Sequence, residues 1–346
     1  MRADQVDLIR RLTVGLRGIL LRTRISVVIA IVIAMGLLAV ISRIAAARNS
    51  ATELLTVLRQ TWILVLGLTL PYLAARALVW QELLQEVGIK VPVRQMAMSF
   101  AGGEITKMLP AGAYVQNYLL ARLVHFGRYS VIRSSMATTA MLGLETMIAV
   151  PVALVVGVPG QPWIFWTIIG ILAVWIVVLA LAWLTVHAWV PHVDDSLPPF
   201  IRRVREAIEE FLEAGRDLIK PRTARTLLPT CLYMLFYVIS LYAIILALGI
   251  HNITFVDTAG IYALIVLAVI LVPIPTEIGI TEAAGFGALL AYGVPHSTAA
   301  IVMLSLRILA TGSTILVATI VMILMRAELG SEVEQPVPVQ KPRTSE

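Results

Sequence analysis

Long apolar runs, separated by short polar or basic stretches, dominate the chain. Six of them, at residues 25–42, 61–78, 136–158, 163–190, 227–250 and 296–325, can cross the hydrocarbon as helices, since a span of roughly 30 Å takes about 20 residues. Two further apolar regions are broken by proline: 95–123 by Pro110, and 255–292 by Pro273 and Pro275, with Gly279 just beyond. The expected fold class is therefore an all-α polytopic membrane protein with six full spans and two proline-broken hairpins. Trp62 and Trp80 flank one span, Trp163 and Trp189 another, as interfacial anchors do. The run at 25–42 is followed by small residues of the kind a signal peptidase reads. The arm before it is long, however, and losing this span would spoil the topology below, so it is read as a true helix.

The side of each loop follows from its Lys and Arg content, because cytoplasmic loops carry the excess. The arm 1–24 holds Arg2, Arg10, Arg11, Arg17, Arg22 and Arg24. The segment 190–226 holds Arg202, Arg203, Arg205, Arg216, Lys220, Arg222 and Arg225, whereas 159–162, 251–254 and 293–298 hold none. Both termini are expected in the cytoplasm, and the Pro-rich, polar tail 326–346, with Arg326, Lys341 and Arg343, is expected to be disordered. Residues 43–60 dissent: they are assigned outside, yet contain Arg43, Arg48 and Arg59.

With these sides, both flanks of 95–123 fall in the cytoplasm and both flanks of 255–292 outside, so each broken segment is expected to be re-entrant. A turn at membrane depth is tolerated only where the freed backbone groups are buried in protein or line a wet cavity. The elements then repeat with opposite polarity, 25–158 forming one half and 159–325 the other. Transporters built as inverted repeats bind substrate near the midplane, where broken segments meet. Residues 197–220 carry Phe200, Ile201, Val204, Ile208, Leu212 and Leu218 at helical spacing with charges between. This predicts an amphipathic cytoplasmic helix lying on the membrane and linking the halves.

Composition agrees: 59% of residues are hydrophobic, 14% are charged and the mean hydropathy is +0.89, which excludes an ordinary soluble domain. The single cysteine, Cys231, permits no internal disulfide and is expected to be a small core residue. His125, His187, His192, His251 and His296 lack metal-site spacing, so neither metal nor cofactor is expected. No nucleic-acid partner is expected. The phosphate-binding pattern GxxxxGK[ST] does not occur, which argues against ATP hydrolysis by this chain.

Ionisable residues at membrane depth are expensive and mark function by default. Glu104 and Lys107, in "GGEITKMLPAG", stand one helical turn apart and can pair with each other. Glu145 has no basic partner on its own span, and Arg307 is available to it, to Glu277 or to Glu282. Arg76 is expected to snorkel from the inner end of its helix. Glu277 and Glu282 flank Gly279, where a half-helix can begin, so either carboxylate can bind cargo, couple protons or cap that helix. Tyr114, Gln116, Asn117 and Thr281 supply uncharged polar groups in the same two segments.

Two motifs carry a resemblance. "LVWQELLQEVGIKVPVRQMAMSFAGGEITKMLPAGAYVQNYLLARL" and "PIPTEIGITEAAGFGALLAYGVPHSTAAIVMLSLRIL" resemble the flippase-like membrane domain of lysyl-phosphatidylglycerol synthases and of stand-alone homologues beside glycosyltransferases. Tyr118, Leu119, Leu120, Pro275, Gly279, Glu282, Ala283 and Ala284 match its usual pattern. Two of its arginines are replaced by Gln116 and Thr281, and one of its glycines by Glu277. The resemblance implies movement of a lipid with a polar headgroup, aminoacylated or a glycosylated or prenyl-phosphate lipid, across the cell membrane. It also makes a separate lipid-modifying transferase a candidate partner. The rival classes are a membrane glycosyl- or aminoacyltransferase and a non-transporting partner of one. The only adjacent aspartates, Asp194 and Asp195, stand in no metal-ligand pattern, so a non-enzyme is expected.

Overall fold

The computed structural model describes residues 50–107, 112–124, 128–156, 199–218, 221–271 and 279–332, with isolated helical positions at 39, 43, 166, 169, 170 and 173. The expected spans 25–42 and 163–190 lie outside the described residues apart from those positions, as do the arm 1–24, Pro110, Pro273, Pro275, Glu277 and the tail beyond 332.

Helix α1 (Ser50–Glu86) is far longer than the span 61–78 read from hydropathy. Its 37 residues extend about 55 Å at 1.5 Å per residue, well beyond the hydrocarbon thickness. Arg59 of the dissenting loop therefore belongs to a helix. The chain leaves α1 through Gly88 at φ 83°. There Ile89 N–H reaches the Leu84 carbonyl and Gly88 N–H the Gln85 carbonyl, a Schellman turn that needs a residue without a side chain in the left-handed region. The same Gly-Ile turn recurs at Gly249 and Ile250, where the two amides reach Leu246 and Ile245.

After the first turn come α2 (Val93–Thr106), a 3₁₀ turn (Gly112–Tyr114) and α3 (Val115–Leu123). Helices α2 and α3 lie side by side because α2 presents bare backbone to its neighbour. A Cβ on Gly103 would come within 2.6 Å of Gln116 Cβ. Next are α4 (Arg128–Val156), the amphipathic α5 (Pro199–Leu218), a 3₁₀ turn (Pro221–Thr226) and α6 (Leu227–Ala247). After the second Gly-Ile turn follow α7 (Phe255–Leu271), α8 (Ile280–Ala291) and α9 (His296–Leu306), then a π turn (Arg307–Thr311) leading into α10 (Gly312–Glu332). The described residues hold no strand. Among the described residues four helical stretches, Ala51–Glu86, Val131–Val156, Ala224–Ala247 and His296–Met325, are long and apolar enough to cross a membrane. They correspond to four of the six expected spans.

Helix α1 packs against α6 at the centre; α2 packs on α10, and α7 on α4. Helix α7 also lies beside α8, as α2 lies beside α3, while α3 and α8 lean on α4 and α9. Val79, Leu83 and Leu84 of α1, Leu241, Ile244 and Ile245 of α6, Ile261 of α7 and Leu289 of α8 fill the core. Ile63, Leu70, Leu228 and Ile323 face outward, as expected where the surrounding solvent is lipid and packing, not water exclusion, holds helices together. Two sequence expectations fail here. Trp80 is no interfacial anchor but is fully buried beside Phe100, with ring centroids 6.0 Å apart. Cys231 is not a core residue but is exposed. An apolar run alone does not reveal which face of its helix meets lipid.

Two arginines fasten one end of the bundle. Arg94 donates to the Met325 carbonyl at 2.9 Å, tying the start of α2 to α10. Arg133 donates to the Val87 carbonyl at 3.0 Å and to Glu213 at 2.9 Å, and sits 3.3 Å from Glu210 and 3.7 Å from Asp217. It thereby holds α5 against α4 and the α1–α2 turn.

Candidate functional site: a charged cleft among apolar helices

The cleft lies where α1, α6, α8 and the π turn converge on the inner end of α2. Its volume is about 80 Å³. Helix α1 contributes Thr69 and Tyr72, α6 contributes Tyr237 and Ser240, and the end of α2 contributes Glu104 and the adjoining Lys107. Thr281 enters from α8, Arg307 and Thr311 from the π turn, and Thr314 from α10. Val65, Leu68, Phe236 and Ala310 complete the wall. Hydroxyls and charges thus face one another in the middle of a hydrophobic bundle.

Two of the charges on the wall, Glu104 and Arg307, have an opposite charge behind them. The Glu104 carboxylate lies 3.6 Å from Arg76, whose other amino group lies 3.5 Å from Glu145. Arg76 donates to the Tyr72 hydroxyl at 2.7 Å, and its guanidinium lies over the Tyr72 and Tyr233 rings at 5.9 and 5.8 Å. Tyr233 donates to Glu145 at 2.8 Å. This group joins α1, α2, α4 and α6; Arg76, Glu104, Glu145 and Tyr233 are buried and Tyr72 is half-buried. The expectation that Arg76 snorkels is therefore wrong: it is only 2% exposed. The helix runs ten residues past Arg76 to Glu86, so what looked like a helix end is a helix interior. Arg76 Nε, also buried, has no hydrogen-bond acceptor, so charge and ring faces hold the guanidinium there.

Behind the opposite wall Glu282 does two things. Its Oε2 accepts a hydrogen bond from Gly279 N–H at 2.6 Å, satisfying an amide at the start of α8. Its Oε1 accepts from Arg307 Nε and pairs with that guanidinium. Glu282 is 1% exposed, so the capping carboxylate is also the counter-ion of a cleft residue. Gly279 stands at φ 85°, a conformation that favours glycine and lets the chain turn into α8. Arg307 reaches Thr311 at 3.4 Å across the π turn.

The structure separates the sequence candidates into two groups. Glu104, Lys107, Thr281 and Arg307 meet in the cleft, with Glu145 and Glu282 directly behind it. Tyr114, Gln116 and Asn117 do not line the cleft but stitch α3 and the 3₁₀ turn before it to α4. Gln116 donates to Thr138 at 3.0 Å, Thr138 donates to Asn117 at 3.0 Å, and the Tyr114 hydroxyl lies 3.2 Å from that of Thr139. Pro110, Pro273, Pro275 and Glu277 lie outside the described residues. Sequence reading missed Tyr72, Tyr233 and Tyr237. The stacking of Tyr237 on Tyr262, with centroids 4.7 Å apart, involves two helices and has no local signature. Among the described residues no group of His, Cys, Asp and Glu has the makings of a metal site.

Apolar helices around a cleft of charges and hydroxyls define a multi-pass helical membrane protein. The chain belongs to the family described as the lysylphosphatidylglycerol synthase TM region, whose sequence model matches residues 27–318. That match takes in every residue of the cleft and makes this a lipid-related membrane protein. The search of curated proteins finds no match.

Proposed function

We propose that the protein is a flippase-like transporter that moves a polar-headgroup lipid between leaflets. The headgroup would pass through the cleft while the hydrocarbon chains stay in lipid. One observation carries this reading: polar groups from α2, α8 and the π turn converge in a cleft where Arg76 backs Glu104 and Glu282 backs Arg307. Such a site can exist at membrane depth and still offer hydrogen bonds to a headgroup.

An inverted repeat of two three-span halves, each with one re-entrant hairpin, accounts for the packing. Exchange of the halves converts the α2–α10 contact into the α7–α4 contact, and α1 against α6 is its own counterpart. The Gly-Ile turns at Gly88 and Gly249 precede α2 and α7 alike. Arg94 meets Met325, both on flanks read as cytoplasmic, and Val156 lies beside Gly260, both near flanks read as external. Rocking of one half against the other would open the cleft to each side in turn.

A transferase, or an inactive partner of one, is the rival reading, favoured by the word synthase in the family description. Purified protein in phosphatidylcholine vesicles containing a trace of short-chain fluorescent lipid separates them. Transport predicts that an impermeant quencher, which bleaches only the outer leaflet of protein-free vesicles, bleaches nearly all label when protein is present. Covalent change of the lipid, seen by mass spectrometry, points to an enzyme instead. No movement and no modification leaves only the partner role.

A further inference from the structure

Among the described residues six side chains that are ordinarily charged surround the cleft, three cationic (Arg76, Lys107, Arg307) and three acidic (Glu104, Glu145, Glu282). They form two layers. Glu104, Lys107 and Arg307 line the cleft. Behind them, Arg76 stands against Glu104 and Glu145, and Glu282 against Arg307. In their ordinary charge states the six cancel, yet the lining itself holds two cations and one carboxylate, beside the hydroxyls of Thr281 and Thr311.

We propose that this cleft selects lipids whose headgroup is a neutral zwitterion, with one phosphodiester balanced by one ammonium. The phosphate would lie between Lys107 and Arg307, and the ammonium toward Glu104. The inference rests on the transport reading above and names its substrate class. A net charge at hydrocarbon depth is costly. A neutral headgroup entering a neutral set of charges leaves nothing uncompensated, and its two poles meet opposite charges on the lining. A headgroup with a net charge of either sign leaves one unit without a counter-ion, which discriminates against it even where its local contacts are good. Phosphatidylethanolamine and alanyl-phosphatidylglycerol satisfy the rule; phosphatidylglycerol, lysyl-phosphatidylglycerol and prenyl phosphates do not.

The test uses the full chain in phosphatidylcholine vesicles, each preparation containing one of phosphatidylethanolamine, alanyl-phosphatidylglycerol, phosphatidylglycerol or lysyl-phosphatidylglycerol. Impermeant trinitrobenzenesulfonate detects outward movement of the three amine lipids, and periodate cleavage of the glycerol diol detects that of phosphatidylglycerol. Alanyl- and lysyl-phosphatidylglycerol differ in net charge on a common scaffold, so their ratio isolates charge. The expected result is that both neutral lipids move roughly tenfold or more faster than both charged ones, the penalty for an unpaired charge at this depth being at least that large. Lys107→Gln removes one cation and should move the preference to lysyl-phosphatidylglycerol. Glu104→Gln removes one acid and should move it to phosphatidylglycerol. Lys107→Gln and the comparison of lipids on the parent protein keep the test decisive if Glu104→Gln fails to fold. Equal rates for all four lipids, or variants that slow every lipid without reordering them, overturn the charge rule and leave transport standing. If the parent moves no lipid at all, the transport reading itself fails.

Discussion

At the scale of single residues, Glu282 joins a helix start to a cleft cation, and the two roles can be separated. In Glu282→Gln the amide oxygen still accepts from Gly279 N–H, but Arg307 loses its counter-ion. We expect a stability loss of about 1–3 kcal/mol, typical for a hydrogen bond to a charged group, and lipid movement slowed by about tenfold or more. Glu282→Ala should lose a further ~1 kcal/mol with the cap. Parental transport by Glu282→Gln would reduce the carboxylate to a cap. Arg76 gives the sharper stability test. Arg76→Met leaves Glu104 and Glu145 buried without their cation, which should cost about 3–5 kcal/mol, read as a fall in the detergent melting temperature. Adding Glu104→Gln and Glu145→Gln should recover much of that loss, because no buried charge then lacks a partner. Arg76→Lys should recover little, since a point charge does not span two carboxylates. The acids at depth were legible in the sequence because carboxylates in apolar runs stand out. Arg76 was not, because its meaning depends on where α1 ends, and hydropathy stops eight residues short of Glu86.

Among the elements, those with a strong local pattern were the most legible. The amphipathic helix expected at 197–220 is found at Pro199–Leu218, its alternating charges and apolar positions leaving little choice of conformation. What pattern could not supply is its partner. Arg133 gathers Glu210, Glu213 and Asp217 onto α4, a contact between segments some eighty residues apart. Arg133→Ala should free α5 locally without unfolding the bundle. Opening should become easier by about 1–2 kcal/mol, so that limited proteolysis at Arg202 or Arg216 quickens by roughly tenfold while the global melting temperature changes little. Unchanged cleavage would mean that the apolar contacts of Ala214 and Leu218 hold the helix unaided. The pairs α2–α3 and α7–α8 were foreseen from broken apolar runs. Their packing rests on Gly103 and on the turn at Gly279, whose backbone demands are local and therefore readable.

For the whole molecule the open question is which side each end faces, and loop charge makes a definite expectation. In a Cys231→Ala background, cysteines at Lys90 and Arg122 should react with an impermeant maleimide only from the cytoplasm, and cysteines at Asn252 and His296 only from outside. Labelling from opposite sides within either pair would remove the inverted repeat. All four positions are exposed, so a failure to label would not reflect burial. The proposed repeat rests on an order of elements and not on a matching string of residues, and the π turn supplies one reason. Such a turn holds one residue more than the α turn it replaces. The chain beyond Thr311 is therefore rotated by about 100° from the course an unbroken helix would take. Helix α4, its counterpart in the proposed repeat, has no such insertion. In the proposed repeat the two last spans therefore shift by one residue relative to each other across Arg307–Thr311. Any comparison of the halves must carry a gap inside a transmembrane helix, and that gap falls at the cleft itself.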